Sequence, residues 1–259
     1  GINPASTASG IYQDGLIWGC RVNDNNPNLP EIRVGGQTYN VGTTAGYVVS
    51  PGPNPVASEE TPIWRIRRDW QRFFDGADGT GEPVLHFPEI IKEAAACFQI
   101  ARTSVSDNQQ REIIEQYRSD WQNWPVHLGA PYYDVNFDDS YTPGLEIDLN
   151  GNGVIETGER EEPGYALADQ IVYYVNHDLN PQTTNALFGS PPIGLEIQNV
   201  IWVYDQPDET LGQMLFKQYT LINKSGYLLD SMFIGQWSDP DVGQFTDDFI
   251  GVDSLRGLG

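Results

Sequence analysis

The chain has 259 residues, 39% of them hydrophobic and 12% aromatic, with 36 acidic against 14 basic side chains and a net charge of −22. That composition folds around a core, and without a basic footprint it excludes nucleic acid as a partner. No direct membrane insertion is expected: anionic lipid repels such a chain, and no apolar run reaches the ~18 residues of a spanning helix. The counter-charges that remain are metal cations or water, the latter meaning an ordinary solvated acidic surface.

The 27 glycines and 18 prolines are spread without a period, which favours many short elements joined by turns. In the first fifty residues "GLIWGCRV", "EIRVGGQTY" and "AGYVVS" read as strands. A proline-rich crossing leads to "IWRIRRDW", where Trp64, Ile66 and Arg68 alternate with Arg65, Arg67 and Asp69 as in a half-buried strand. Residues 88–124 predict a helical insertion. Pro88 suits a first helical position, and Ser106 with Gln109 fits a capping box. Ile113, Tyr117, Trp121 and Trp124 then mark an apolar face that either packs on a sheet or serves as a binding platform; helical spacing favours packing. Beyond the acidic, turn-rich stretch 129–164, strands are expected at "QIVYYVN", "LEIQNVIWVYD", "QMLFKQYTLIN" and "YLLDSMFIGQW", the last two joined by the turn "NKSG".

Cys20 and Cys97 leave two readings open. They form one long-range disulfide in an oxidising compartment, or Cys97, in the apolar helical context "EAAACFQIA", is a buried free thiol.

The densest chemical signal is "DLNGNGVIETGE", residues 148–159. It fits every position of the twelve-residue calcium loop D-x-[DN]-x-[DN]-G-x5-E. Asp148, Asn150 and Asn152 supply side-chain oxygens and Val154 its carbonyl. Glu156 acts at the ninth position and Glu159 closes the shell with both oxygens. Gly153 permits the sharp turn, and Ile155 takes the place of an apolar anchor. The competing reading is a plain cluster of Asx turns. Pro143, Gly144, Pro163 and Gly164 flank the loop, so no helix pair stands ready to swing, and a structural staple is expected rather than a sensor.

Asp134, Asn136 and Asp138 repeat the start of this spacing, with Asp139 where a glycine is expected. Asp239, Asp241, Asp247, Asp248 and Asp253 crowd a later acidic stretch. Both groups are candidate cation ligands or solvated turns. Signals for catalysis are sparse. His86, His127 and His177 are isolated, neither cysteine has a nucleophile's context, and nothing singles out a carboxylate pair for glycoside hydrolysis.

Several phrases carry a resemblance: "DGLIWGCRVND", "WRIRRDW", "YRSDWQNWPVHLGAPYYDVN", "DLNGNGVIETGEREEPGYALADQIVYYVNHDLNP" and "LFKQYTLINKSGYLLDSMFIGQWSDPDVGQFTDDFIGVDS". Together they resemble large secreted proteins of the type IX secretion system, which carry a C-terminal sorting domain and are released or held at the cell surface. The resemblance implies an extracellular or cell-surface location, a mainly β architecture and metal-binding loops at 134–138, 148–159 and 239–253. Val252 stands where that family commonly has a cysteine. Asp230, Ser231 and Met232, like Asp253, Ser254 and Leu255, fit a short motif glycosylated on serine in that class. The family pattern continues past the last residues, so the chain is expected to be an excerpt of a longer protein.

The expectation is a single mainly β domain over residues 1–259, antiparallel and sandwich-like, with the helical insertion and calcium-binding acidic loops at about 134–164. In function it is expected to be a non-catalytic, calcium-stabilised extracellular module of adhesion or assembly, whose partners are other domains of the same protein or surface components. Two alternatives stand beside it: a carbohydrate-binding module or polysaccharide-active enzyme drawing on seven tryptophans, and a structural subunit of a surface filament or layer.

Overall fold

The computed structural model describes residues 11–156, 158–165, 167–240, 251 and 254–256. The first strands are β1 (Gln13–Asn23), β2 (Ile32–Gly36), β3 (Thr44–Ala45), β4 (Val48–Ser50), β5 (Val56–Ala57) and β6 (Ile63–Arg67). Helices α1 (Pro88–Cys97) and α2 (Asp107–Gln122) follow, then β7 (Tyr132–Tyr133), β8 (Glu162–Pro163) and β9 (Gln170–His177). Helix α3 (Pro181–Phe188) precedes β10 (Leu195–Val203), β11 (Phe216–Asn223) and β12 (Leu228–Asp239). The fold is mainly β. Antiparallel pairing joins β1 to β2 and β12, β3 and β6 to β9, β4 to β5, and β7 to β8.

The chain divides into two compact units, one of Gly1–Glu59, Asn176–Glu196 and Leu221–Gly259, the other of Glu60–Val175 and Ile197–Thr220. In the first, β1 lies between β12 and β2. Leu16, Trp18, Cys20 and Val22 are buried while Ile17 and Arg21 face out, the two-residue period of a strand with one covered face. The turn "NKSG" does join β11 to β12, but the two strands belong to different sheets, so it is not the bend of a paired hairpin. A buried Arg33 ties this unit together by pairing with Asp24 and donating to the carbonyls of Pro30 and Pro192, both at 3.1 Å.

In the second unit, β6 runs antiparallel to β9 from the Ile63–Tyr174 pair to Arg67–Gln170. Pro88 opens α1 as its first residue. Helix α2 begins with the expected box: Ser106 Oγ accepts from the Gln109 amide at 3.3 Å, and Gln109 Oε1 accepts from the Ser106 amide at 2.9 Å. Its apolar face is core. Ile113, Ile114, Tyr117 and Trp121 are buried, with ring centroids 6.0 Å apart for Trp70–Trp121 and 5.8 Å for Trp124–Tyr173. None of the seven tryptophans is exposed, although Trp64, Trp202 and Trp237 are only half-buried. Both cysteines are free. The buried one is Cys20; Cys97, expected in an apolar setting, is exposed at the end of α1 and accepts a bond from Arg65 at 2.8 Å. Among the described residues no helix is long and apolar enough to cross a membrane.

Candidate metal centre

Two hydrogen bonds fix the segment after α2. Trp124 Nε1 donates to the Pro131 carbonyl and the Tyr173 hydroxyl to the Leu128 carbonyl, each at 2.6 Å. The chain then enters β7, which pairs with β8 so that Tyr132 faces Pro163 and Tyr133 faces Glu162. The next pair outward in that register is Asp134 and Glu161. On the other side of the same stretch, the Ile147 amide donates to the Glu159 carbonyl and the Glu161 amide to the Leu145 carbonyl, both at 2.8 Å, with Glu146 bridging Arg160. Residues 159–163 therefore pair with β7 at one end and with residues 145–147 at the other, as one short ribbon. The 148–159 loop is the tip of one of its hairpins, and ladders rather than helices flank it.

Side chains alternate across such a ribbon. Arg160 pairs with Glu146 and Arg68 with Glu162. Glu159 and Glu161, one step out of phase, belong to the opposite face, where the two acidic loops lie.

The 148–159 loop is organised by its own acids and amides. Asp148 accepts the backbone N–H groups of Gly151, Asn152 and Gly153 at 2.7, 3.1 and 2.7 Å. The Gly153 amide leads the bonds that hold this carboxyl below the usual aspartate range. Asn150 and Asn152 each accept from the amide two residues on, at 3.0 and 2.7 Å, and both turn their NH2 groups to Glu156, at 3.0 and 3.1 Å. Glu159 accepts from Leu149 and Glu156, each at 3.0 Å. Asn150 and Asn152 thus converge on the Glu156 carboxylate, one on each of its oxygens. Ile155, expected as an apolar anchor, is exposed.

The 134–139 loop repeats the pattern. Asp134 accepts from Asp138 and Asp139 at 3.3 and 2.9 Å, Asn136 from Asp138 at 3.2 Å, and Asp138 from Ser140 at 2.8 Å. The fourth and sixth residues are left-handed in both loops: φ is +72° and +79° at Gly151 and Gly153, and +59° and +58° at Phe137 and Asp139. Asp139 tolerates the place because a short polar side chain enters the left-handed region at modest cost.

Among the described residues, one set of three acidic side chains brings its oxygens within 4.8 Å of one another: Asp134, Asp138 and Glu161. That span is about twice a calcium–oxygen bond of ~2.4 Å, the widest separation two ligands of one ion can have. The carboxylates of Asp148, Glu156 and Glu159 form no such set; their oxygens accept from backbone and amide N–H groups. Sequence reasoning placed Asp134, Asn136 and Asp138 together and passed over Glu161. Its signal was present: an acid two residues beyond Glu159, on the same face by strand period.

Glu161 is fully buried. One of its oxygens accepts from the Thr142 amide at 2.5 Å, and Oε1 has no hydrogen-bond partner. The surrounding field is negative. Burial first, then Asp134, Asp139 and Glu161, raises the Tyr132 hydroxyl; burial, then Glu161 and Glu162, raises that of Tyr141. Tyr141 donates to the Trp121 carbonyl at 2.8 Å and so anchors the end of this loop to α2. Of the later acidic group, Asp239 lies in β12, where it accepts from the Tyr39 hydroxyl at 2.7 Å. Asp241, Asp247, Asp248 and Asp253 lie outside the described residues.

Comparison with family models, with curated proteins and with solved structures found no match.

Proposed function

We propose that the chain is a non-catalytic, calcium-stapled β module, sandwich-like in architecture, that serves adhesion or assembly as part of a longer secreted or cell-surface protein of the type IX class. The observation that carries the calcium reading is the wrapping of residues 148–153 around the Asp148 carboxylate, with Asn150 and Asn152 converging on the Glu156 carboxylate. The candidate ligands Asp148, Asn150, Asn152, Glu156 and Glu159 all carry carboxylate or amide oxygens, the class of group that suits a hard cation of calcium's size. The acidic sign of the chain supports the same reading, because clustered carboxylates fold together only when something neutralises them. The sugar-binding alternative gains no support from the tryptophans, none of which is exposed as a stacking platform.

Calorimetry with and without a chelator tests the proposal. Calcium at ~100 times its dissociation constant stabilises the folded state by about 2.7 kcal/mol. In a chain of this size that is on the order of 5–10 °C in melting temperature. Asp148→Ala is expected to lose the part of the calcium-dependent shift that the 148–159 loop contributes. Identical melting of the wild type in calcium and in EGTA would remove the staple.

A further inference from the structure

The buried, unpartnered oxygen of Glu161 calls for an explanation that the 148–159 loop does not supply. A carboxylate withdrawn from water without a full set of partners is strongly disfavoured, and a proton, an arginine or a metal ion relieves it. Arginine is already spent on the other face: Arg160 pairs with Glu146 and Arg68 with Glu162. Glu161 has no ion-pair partner among the described residues, and Asp134 and Asp138, two more negative groups, bring oxygens within 4.8 Å of its own. Three carboxylates with oxygens within 4.8 Å, one of them wholly buried, are an arrangement that a divalent cation stabilises and that its absence penalises.

The ribbon explains why the third ligand comes from so far along the chain. Counted from Asp134, the twelfth residue is Leu145, which cannot close a cation shell. Leu145 instead accepts the backbone bond of Glu161 at 2.8 Å, and the β7–β8 register carries Glu161 opposite Asp134. The carboxylate that the 148–159 loop holds within itself, as Glu159, is delivered to the 134–139 loop across a strand pair. We infer that Asp134, Asp138 and Glu161 form a second cation site for a hard divalent ion of calcium's class, with Glu161 as its closing ligand. The site stands on residues separate from the 148–159 loop, so it goes beyond the proposed function.

Calcium titration calorimetry on the full chain, stripped of metal beforehand, tests it with Glu161→Gln and Asp148→Ala side by side. Each variant is expected to lose one equivalent of calcium relative to wild type, and the double variant two. Loss with Asp148→Ala alone overturns the Glu161 site and leaves the proposed function standing; loss with Glu161→Gln alone does the reverse. Melting adds a readout that a packing role would not give. In chelator Glu161→Gln is expected to melt above wild type, because a buried charge is gone, and in calcium below it. A shift of the same sign in both conditions overturns the inference. Should Glu161→Gln fail to fold, Asp138→Asn at an exposed position supplies the same test: a tenfold or greater weakening of one equivalent is expected, and unchanged affinity overturns the site.

Discussion

Asp139 and Gly153 hold the same place in two successive loops. Each is the sixth residue, each has left-handed φ, and each donates its backbone N–H to the carboxylate that opens the loop, at 2.9 Å to Asp134 and 2.7 Å to Asp148. A conformation reached by both glycine and aspartate is imposed by the loop rather than by the residue. Space is not the constraint, since a Cβ at Gly153 would meet nothing within 4 Å.

The cost of substitution at Gly153 is then the left-handed backbone alone. Gly153→Ala is expected to lower stability in calcium by about 1–2 kcal/mol. Gly153→Asp, copying the earlier loop, is expected to cost less than alanine, because a short polar side chain bonds locally in that region. Urea unfolding of the two variants at saturating calcium checks the order, and an aspartate costlier than alanine would contradict it.

Where a feature depended on local spacing, the sequence carried it. The alternation of Leu16, Trp18, Cys20 and Val22, the box of Ser106 and Gln109, and the buried stripe of α2 are read from neighbours within a few residues. Glu161 was legible only as an acid on the face of Glu159; its meeting with Asp134 depends on the register of strands 27 residues apart, which no local period encodes. The partition of β11 and β12 into different sheets is hidden for the same reason, since a turn motif states that the chain bends and not what its arms pair with.

Asp120 gives the second unit a pH signature. Burial pushes its carboxyl up to about 6, against bonds from the Arg65 amide at 2.7 Å and Gln116 Nε2 at 2.6 Å that pull it down. A folded-state value above the unfolded one means the native state holds the proton more tightly. The resulting stability is fully present below about pH 4 and is lost as pH rises through about 6. The loss is on the order of 3 kcal/mol. Asp120→Asn keeps the shape and removes the titration; turning the Gln116 amide restores its bond. The variant is expected to gain on wild type between pH 4 and 7 in paired denaturant curves. A difference that stays flat across that range would assign the carboxyl an ordinary value.

Asp178 organises the first unit through three backbone bonds: Ile193 donates to one oxygen at 2.7 Å, and Gly194 and Leu195 to the other at 2.9 and 2.7 Å. The residue is 1% exposed, so these amides have no water to turn to. Asp178→Ala leaves three donors without acceptors, and a cost of about 3 kcal/mol or more is expected. Asp178→Asn keeps one acceptor for Gly194 and Leu195 but sets an N–H against Ile193, so an intermediate loss is expected. Hydrogen exchange locates the effect. The amides of Ile193, Gly194 and Leu195 should exchange faster in both variants while those of α2, in the other unit, keep their protection. Uniform acceleration throughout the chain would mean that Asp178 supports global stability and does not pin this segment in particular.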